Sequence, residues 1–146
     1  MTTLTEHFTL EEFTVSNTGE RMGIDNTPSA AIRANIQRTA EVLERIRTLL
    51  GHSVIITSGY RCPALNKAVN GAALSAHVNG LAADIIVPGY GTPYDVCLAL
   101  KGSLEGFGID QLIWEFNRWT HVGLRAVGAR CEVLTIDAAG TRVGLA

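Results

Sequence analysis

The feature that most constrains the fold is a long amphipathic helix, which the sequence predicts over residues 28–50. Apolar side chains recur there at spacings of three, four or seven residues: Ile32, Ile36, Leu43, Ile46 and Leu50. This spacing places them on one face of a helix, and that face must pack against another apolar layer. Thr27 is the expected N-cap, Pro28 suits the first helical position, and Gly51 can end the helix. We therefore expect a core helix and assign it no chemistry.

The remaining segments predict shorter elements around that helix. Helices are expected over 8–14, 63–69 and 92–102, a loop over 15–26, and strands over 54–57, 82–87, 110–116, 119–125 and 131–136. The strand over 54–57 is β-branched throughout, which is typical of a buried strand. This order of elements predicts an α+β fold with a mainly antiparallel sheet and flanking helices. With 146 residues and no internal repeat or linker, we expect one domain over 1–146.

Composition excludes several classes of protein. The chain is 47% hydrophobic and 18% charged, which is incompatible with a disordered protein. Its net charge of -2 offers no basic surface for nucleic acid or for an anionic membrane. No apolar run approaches the roughly 20 residues that cross a bilayer, and the first residues lack the pattern of a signal peptide. We therefore expect synthesis in the cytoplasm, without membrane insertion.

The three cysteines, Cys62, Cys97 and Cys131, are far apart and odd in number. They match neither a disulfide framework nor a C-x-x-C zinc site. Free thiols in a chain made in a reducing compartment are the favoured interpretation, and one disulfide with a leftover thiol stays open.

The stretch of residues 75–84 carries the clearest chemical signal. His77 lies in a loop of small and polar residues, and Asp84 lies in a strand whose other members are apolar. A carboxylate in such a strand is costly to bury unless it is paired or bound to a metal. Gly80 lets the chain bend between the two, so both side chains can reach one point. Imidazole nitrogen and carboxylate oxygen both bind zinc.

A third candidate ligand is His121, which lies among apolar neighbours in a predicted strand. Three protein ligands with a fourth position left to water are the pattern of a catalytic zinc site. Taken singly, however, a strand histidine is more often a hydrogen-bonded core residue, and a strand aspartate is more often an ion-pair partner. The residues alone leave both interpretations open. His7 and His52 have no comparable setting and are expected at the surface.

These motifs together resemble a known family. The segment S-x-H-x-x-G-x-A-x-D at 75–84 follows Ser58-Gly59-Tyr60-Arg61 and precedes Trp119-Thr120-His121. This order resembles the zinc D-Ala-D-Ala carboxypeptidases, which include phage endolysins and vancomycin-resistance dipeptidases. Their fold is shared with lysostaphin-type peptidases and the Hedgehog signalling domain. The resemblance runs from about residue 8 to 125, and Leu10-Glu11-Glu12-Phe13 is similar to the phage and prophage branch.

The resemblance implies a role for each matching residue. His77, Asp84 and His121 would be ligands of Zn²⁺. Arg61 would bind a substrate carboxylate, which its planar guanidinium can contact with two hydrogen bonds. Ser75 would donate a hydrogen bond to substrate or order the loop. The implied activity is hydrolysis of peptidoglycan stem peptides, at D-Ala-D-Ala or at a neighbouring bond.

The catalytic base departs from the family pattern. Many relatives carry an acidic residue three positions before the last histidine, where this chain has Arg118. Glu115 is the nearest carboxylate. With a three-residue loop at 117–119 it would pair with His121 and share its face, whereas a two-residue turn would point it away. We predict Glu115 as the base, with Asp110 as a weaker candidate.

The expected partner is a peptidoglycan stem peptide, bound by a monomer that acts on the cell wall (periplasm) after release, or that is virion-associated. A phage or prophage lysis enzyme fits this expectation, and a host remodelling enzyme stays open. Two other classes also stay open. One is a non-catalytic module that keeps its zinc and binds peptidoglycan. The other is a virion structural component with an emptied site.

Overall fold

The computed structural model describes residues 1–146 and shows helices around one six-stranded sheet. The helices are α1 (Leu10–Thr14), α2 (Asn17–Met22), α3 (Ala30–Leu50), α4 (Pro63–Ala68), α5 (Pro93–Leu100) and α6 (Leu104–Phe107), with a 3₁₀ helix at Ala76–Asn79. The strands are β1 (Ile55–Ser58), β2 (Ala82–Ile86), β3 (Gln111–Glu115), β4 (Trp119–Gly123), β5 (Glu132–Asp137) and β6 (Gly140–Val143). The predicted α+β fold is confirmed.

The sheet has the strand order β1-β2-β4-β3-β5-β6. Every neighbouring pair is antiparallel except β3 and β5, which run parallel. The mainly antiparallel sheet is therefore as predicted. Strand β6 was not predicted, because its sequence GTRV is mostly exposed and carries no apolar alternation.

The hydrophobic core lies on one face of this sheet, under α3 and α5. Leu112 and Val122 face this side, and so do the odd-numbered residues of β2. Because side chains alternate along a strand, Ala82, Asp84, Ile113 and His121 project from the other face. The sheet thus has one face filled by the core and one that is available for a site.

Helix α3 confirms the predicted core helix but begins later than expected. Ser29, not Thr27, caps it by accepting a hydrogen bond from the N–H of Ile32 at 3.3 Å. The backbone N–H of Thr27 instead donates to Asp25, which keeps Thr27 in the preceding turn. Gly51 ends the helix with φ of 69°, as predicted. None of the helices is both long enough and apolar enough to cross a bilayer.

Two other predictions were wrong, one about residues 15–26 and one about strand β1. The predicted loop over 15–26 contains α2, which Ser16 caps and Gly23 ends in a left-handed conformation. Six residues are too few to show apolar periodicity, so this helix depends on its caps. Strand β1 was predicted to be buried, yet Ile55 is 47% exposed, because β1 is an edge strand that pairs only with β2.

The cysteines follow the favoured interpretation, since all three are free. Cys97 is buried in α5 against the hydroxyl of Thr120, and burial raises the pKa of its thiol to about 11. This thiol therefore stays protonated near neutral pH and acts as a small apolar side chain.

Candidate metal centre

The structure brings His77, Asp84 and His121 together on the open face of the sheet, and we call these three side chains the metal cluster. One ligand atom from each lies within 4.8 Å of those of the other two, and all three side chains are buried. Asp84 and His121 are directly paired on β2 and β4, while His77 reaches them from the 3₁₀ helix. Asp84 Oδ1 lies 3.3 Å from His77 Nε2 and 2.9 Å from His121 Nδ1. The sequence prediction that these distant residues converge agrees with this geometry.

The ring of His77 is held in one tautomer. Its Nδ1 lies 2.7 Å from the carbonyl oxygen of Gly59, which can only accept, so Nδ1 carries the hydrogen. Nε2 of the neutral ring then offers a lone pair toward Asp84. Metal-binding histidines are commonly oriented in this way by an outer hydrogen bond. The Ser75 hydroxyl accepts a hydrogen bond from the backbone N–H of His77 and so orders the same turn.

The charges in this cluster suit a cation. Burial opposes ionisation of Asp84, but the hydrogen bond from His121 outweighs it and holds the pKa of Asp84 well below the usual range. Burial lowers the pKa of His77, which favours the neutral ring. In that state a nitrogen lone pair faces a carboxylate oxygen, and two such groups need a cation between them. Two imidazoles and one carboxylate are a donor set that fits zinc, with one coordination position left over.

Glu115 shares the face of the cluster, although its predicted strand pairing was wrong. It pairs with Trp119 rather than with His121, because the three-residue loop is Phe116–Arg118 and begins one residue earlier than predicted. Phe116 and Asn117 take the left-handed conformation that closes this loop, with φ of 52° and 50°. A shift of two residues in pairing preserves the face. Glu115 Oε1 therefore still lies 3.9 Å from His121 Nδ1.

The surroundings of Glu115 favour proton transfer. Burial raises the pKa of its carboxyl group, and the negative charge of Asp84 raises it further. A general base works best when its pKa lies closer to the working pH than that of a free carboxylate. Asp110, the weaker candidate, does not join the cluster. Its carboxylate instead accepts hydrogen bonds from Arg130, the shortest at 2.7 Å from Nη2.

Arg61 lies half-buried beside the cluster. Its Nε donates to Asn66 Oδ1 at 3.2 Å and its Nη1 donates to Ser58 Oγ at 3.3 Å. Both acceptors are neutral, and Nη2 makes no hydrogen bond within the protein. Burial lowers the pKa of Arg61, while the carboxylates of Asp84 and Glu115 oppose that shift. The guanidinium is thus fixed in position with one nitrogen free for an anionic ligand.

Sequence reasoning missed the role of Asn66. This buried residue accepts from Arg61 with its oxygen and donates from Nδ2 to the carbonyl of Ala72 at 2.9 Å. Gly71 packs so closely that a Cβ there would overlap Asn66 Oδ1. An asparagine inside a short predicted helix carries no distinguishing signal in a single sequence, so only the fold reveals it.

Comparison with known protein families matches the sequence of this chain to one of them. The model of the family described as Peptidase M15 matches residues 6–123. The chain belongs to the peptidase M15 family. The matched segment of this M15 peptidase contains all three residues of the metal cluster, together with Arg61, Ser75 and Glu115. The resemblance drawn from the sequence motifs is therefore confirmed. A search of curated proteins gave no match.

Proposed function

We propose that this M15 peptidase is a zinc-dependent hydrolase of peptide bonds in peptidoglycan stem peptides, acting as a D-Ala-D-Ala carboxypeptidase or as an endopeptidase. The observation that carries the proposal is the buried cluster of two imidazoles and one carboxylate, with a second carboxylate and a guanidinium beside it. Family membership supports peptidase chemistry, and the donor set supports zinc.

Each residue then has a defined task. Zinc, when bound, would polarise the scissile carbonyl and lower the pKa of water to about 7. Glu115 accepts the proton of the attacking water and passes it to the leaving amine. Arg61 binds a carboxylate of the substrate through its free Nη2, and so orients the peptide relative to Glu115.

We place this activity at the bacterial cell wall (periplasm), reached after release from the cell or from a virion. The Leu10-Glu11-Glu12-Phe13 opening, which is similar to the phage and prophage branch, supports a lysis enzyme. In the structure Phe13 is fully buried and its carbonyl oxygen accepts the N–H of Tyr60, so this segment supports the loop that carries Arg61.

The test is digestion of defined muropeptides followed by mass analysis of the products. We expect hydrolysis that a chelator abolishes and zinc restores. Glu115→Gln should lower the rate by about 10²–10⁴-fold, the usual contribution of a positioned base, while zinc stays stoichiometric. Glu105→Gln, at an exposed site on α6, is the matched control and should change nothing. Hydrolysis that survives chelation, or a Glu115→Gln variant with full activity, would show the proposal to be wrong.

One observation favours a second candidate, a zinc-containing module that binds peptidoglycan without cleaving it. Arg118 occupies the position where many relatives carry the acidic residue, so Glu115 must supply the base from a different strand. Stoichiometric zinc and tight muropeptide binding by the unmodified protein, with no product after long digestion, would support this alternative. Protein that neither retains zinc nor cleaves would instead indicate a structural virion component.

A further inference from the structure

A groove of about 690 Å³ leads away from the metal cluster along the open face of β3 and β4. One wall is the segment around the 3₁₀ helix, including Ser75 and Asn79. The opposite wall combines the start of β3 with the chain that follows β4, including Gln111 and Arg125. His121 lies in its lining, so the groove and the cluster are continuous.

Gly123 keeps this groove open next to the histidine. A Cβ at this position would lie 3.0 Å from His121 Nε2 and 3.9 Å from the Cβ of Gln111. Since His121 directs Nδ1 toward Asp84, its Nε2 faces this space and makes no hydrogen bond within the protein. A ligand in the groove can therefore contact the backbone of Gly123 and the edge of the His121 imidazole.

The far end of the groove offers a half-exposed guanidinium that makes no hydrogen bond within the protein. Arg125 is 53% exposed, and its Nε is 4.0 Å from Asp110 Oδ1, too far for a hydrogen bond. Asp110 is already bound by Arg130 through Nε, Nη2 and the backbone N–H. The nearby acid Glu132 accepts from Gln111 at 2.7 Å. Both carboxylates near this end thus have other partners, and Arg125 stays free for an anion.

The distance from the metal cluster to Arg125 limits the length of the peptide that can contact both. Arg125 follows His121 by four residues, which limits the distance between their Cα atoms to about 13 Å at roughly 3.3 Å per residue. An extended peptide covers this distance with about four residues. We propose that the groove binds the part of the substrate that continues beyond the scissile bond, and that Arg125 binds a carboxylate three to four residues from that bond. The inference rests on the proposed function and defines its substrate as an acidic peptide longer than a dipeptide.

The experiment measures binding without turnover, using zinc-loaded Glu115→Gln protein and calorimetry. One probe is a pentapeptide ending in D-Ala-D-Ala with Glu at its first position, and its partner carries Gln there. A second pair places the Glu or Gln four residues after the D-Ala, on the C-terminal side of the scissile bond. We expect one pair to show about tenfold tighter binding of the Glu peptide, the scale of a charge-assisted contact.

Arg125→Gln should remove that preference, and Arg125→Lys should restore part of it. Lys101→Gln removes an exposed charge after α5, on the core side of the sheet, and should leave the preference intact. Raising the salt concentration should weaken binding of the Glu peptide more than binding of the Gln peptide, since Arg125 is half exposed and its charge is screened by salt. Thermal melts of the Arg125 variants should equal that of the parent, because the side chain makes no hydrogen bond.

The two hypotheses fail in different ways. No preference for Glu in either pair, or a preference that persists in Arg125→Gln, overturns the groove assignment even if the unmodified protein cleaves muropeptides. A preference that depends on Arg125, in a protein that never cleaves, supports the groove assignment and overturns the proposed hydrolase.

Discussion

Gly59 connects the fold to the metal cluster, and replacing it with alanine tests that connection. Its carbonyl oxygen accepts the Nδ1–H of His77 at 2.7 Å, which fixes the ring. A Cβ on this residue would lie 2.6 Å from the carbonyl oxygen and 2.7 Å from the Cα of Phe13. These are backbone atoms at the end of α1, and the next residue, Tyr60, donates to that same oxygen at 2.7 Å. Gly59→Ala must therefore displace either α1 or the loop that orients His77.

The size of the effect follows from these contacts. Overpacking costs about 1–3 kcal/mol, and the upper end applies because backbone atoms cannot rotate away as a side chain can. At about 2–4 °C per kcal/mol for a chain of this size, the melting temperature should fall by about 6–12 °C. Displacing the hydrogen-bond partner of a metal-binding histidine should also weaken zinc binding by about 10–100-fold.

Thermal melts and competitive zinc titrations measure both effects. Gly102→Ala is the matched control, since a Cβ added there would meet no atom within 4 Å and its backbone is not left-handed. It should match the parent protein in melting temperature and in zinc affinity. If Gly59→Ala behaves like Gly102→Ala in both measurements, the proposed coupling between α1, Gly59 and His77 is refuted.

Three further predictions concern buried polar groups. Zinc at 100 times its dissociation constant should add about 2.7 kcal/mol to the free energy of unfolding of the parent protein. The melting temperature should then rise by about 5–11 °C, and Asp84→Asn should abolish most of that rise. Asn66→Asp should neutralise Arg61 and raise KM about tenfold for substrates that end in a carboxylate, with a smaller change in kcat; an unchanged KM would contradict the role of Arg61. Burial opposes ionisation of Asp110, but the hydrogen bonds that Arg130 donates to it prevail and lower the pKa of Asp110. The ion pair therefore contributes its full stability above the unfolded pKa of about 3.9, and this stability is lost as the pH falls through the lower folded pKa. Urea midpoints between pH 5 and 2 should therefore fall more steeply for the parent than for Asp110→Asn, and parallel curves would count against this ion pair.

The parts of the fold that sequence reasoning predicted are those with a long or chemically unusual signal. Helix α3 has several turns of apolar periodicity, and its end at Gly51 requires a left-handed residue. Asp84 and His121 stood out because such side chains are rare in apolar strands, but the full set with His77 followed from the resemblance of the motifs to a known family. In α3, local preference and tertiary burial favour the same structure.

The parts that sequence reasoning missed depend on contacts between distant segments. The register of Glu115 depended on whether the loop began at Phe116 or Asn117. A bulky residue with positive φ is unfavourable, yet Phe116 adopts it, with its N–H donating to the carbonyl of Ile136 on β5 at 2.8 Å. Asn66 acts through Arg61 and Ala72, and neither contact follows from helix propensity. The cationic end of the groove arises because β5 returns parallel to β3 and places Arg130 against Asp110.

That parallel return separates two parts of the chain, the strands that carry the metal cluster and the segment between β4 and β5. The segment shared with the family ends at residue 123, and the last residue of the metal cluster is His121. The stretch that carries Arg125 and Arg130 comes afterwards, anchored by the N–H of Glu132 on the carbonyl of Asp110 at 2.9 Å. With the groove assignment proposed above, substitutions in this stretch should change which peptides bind and leave His77, Asp84 and His121 in place. The loop between β4 and β5 is therefore the place to engineer a new peptide preference.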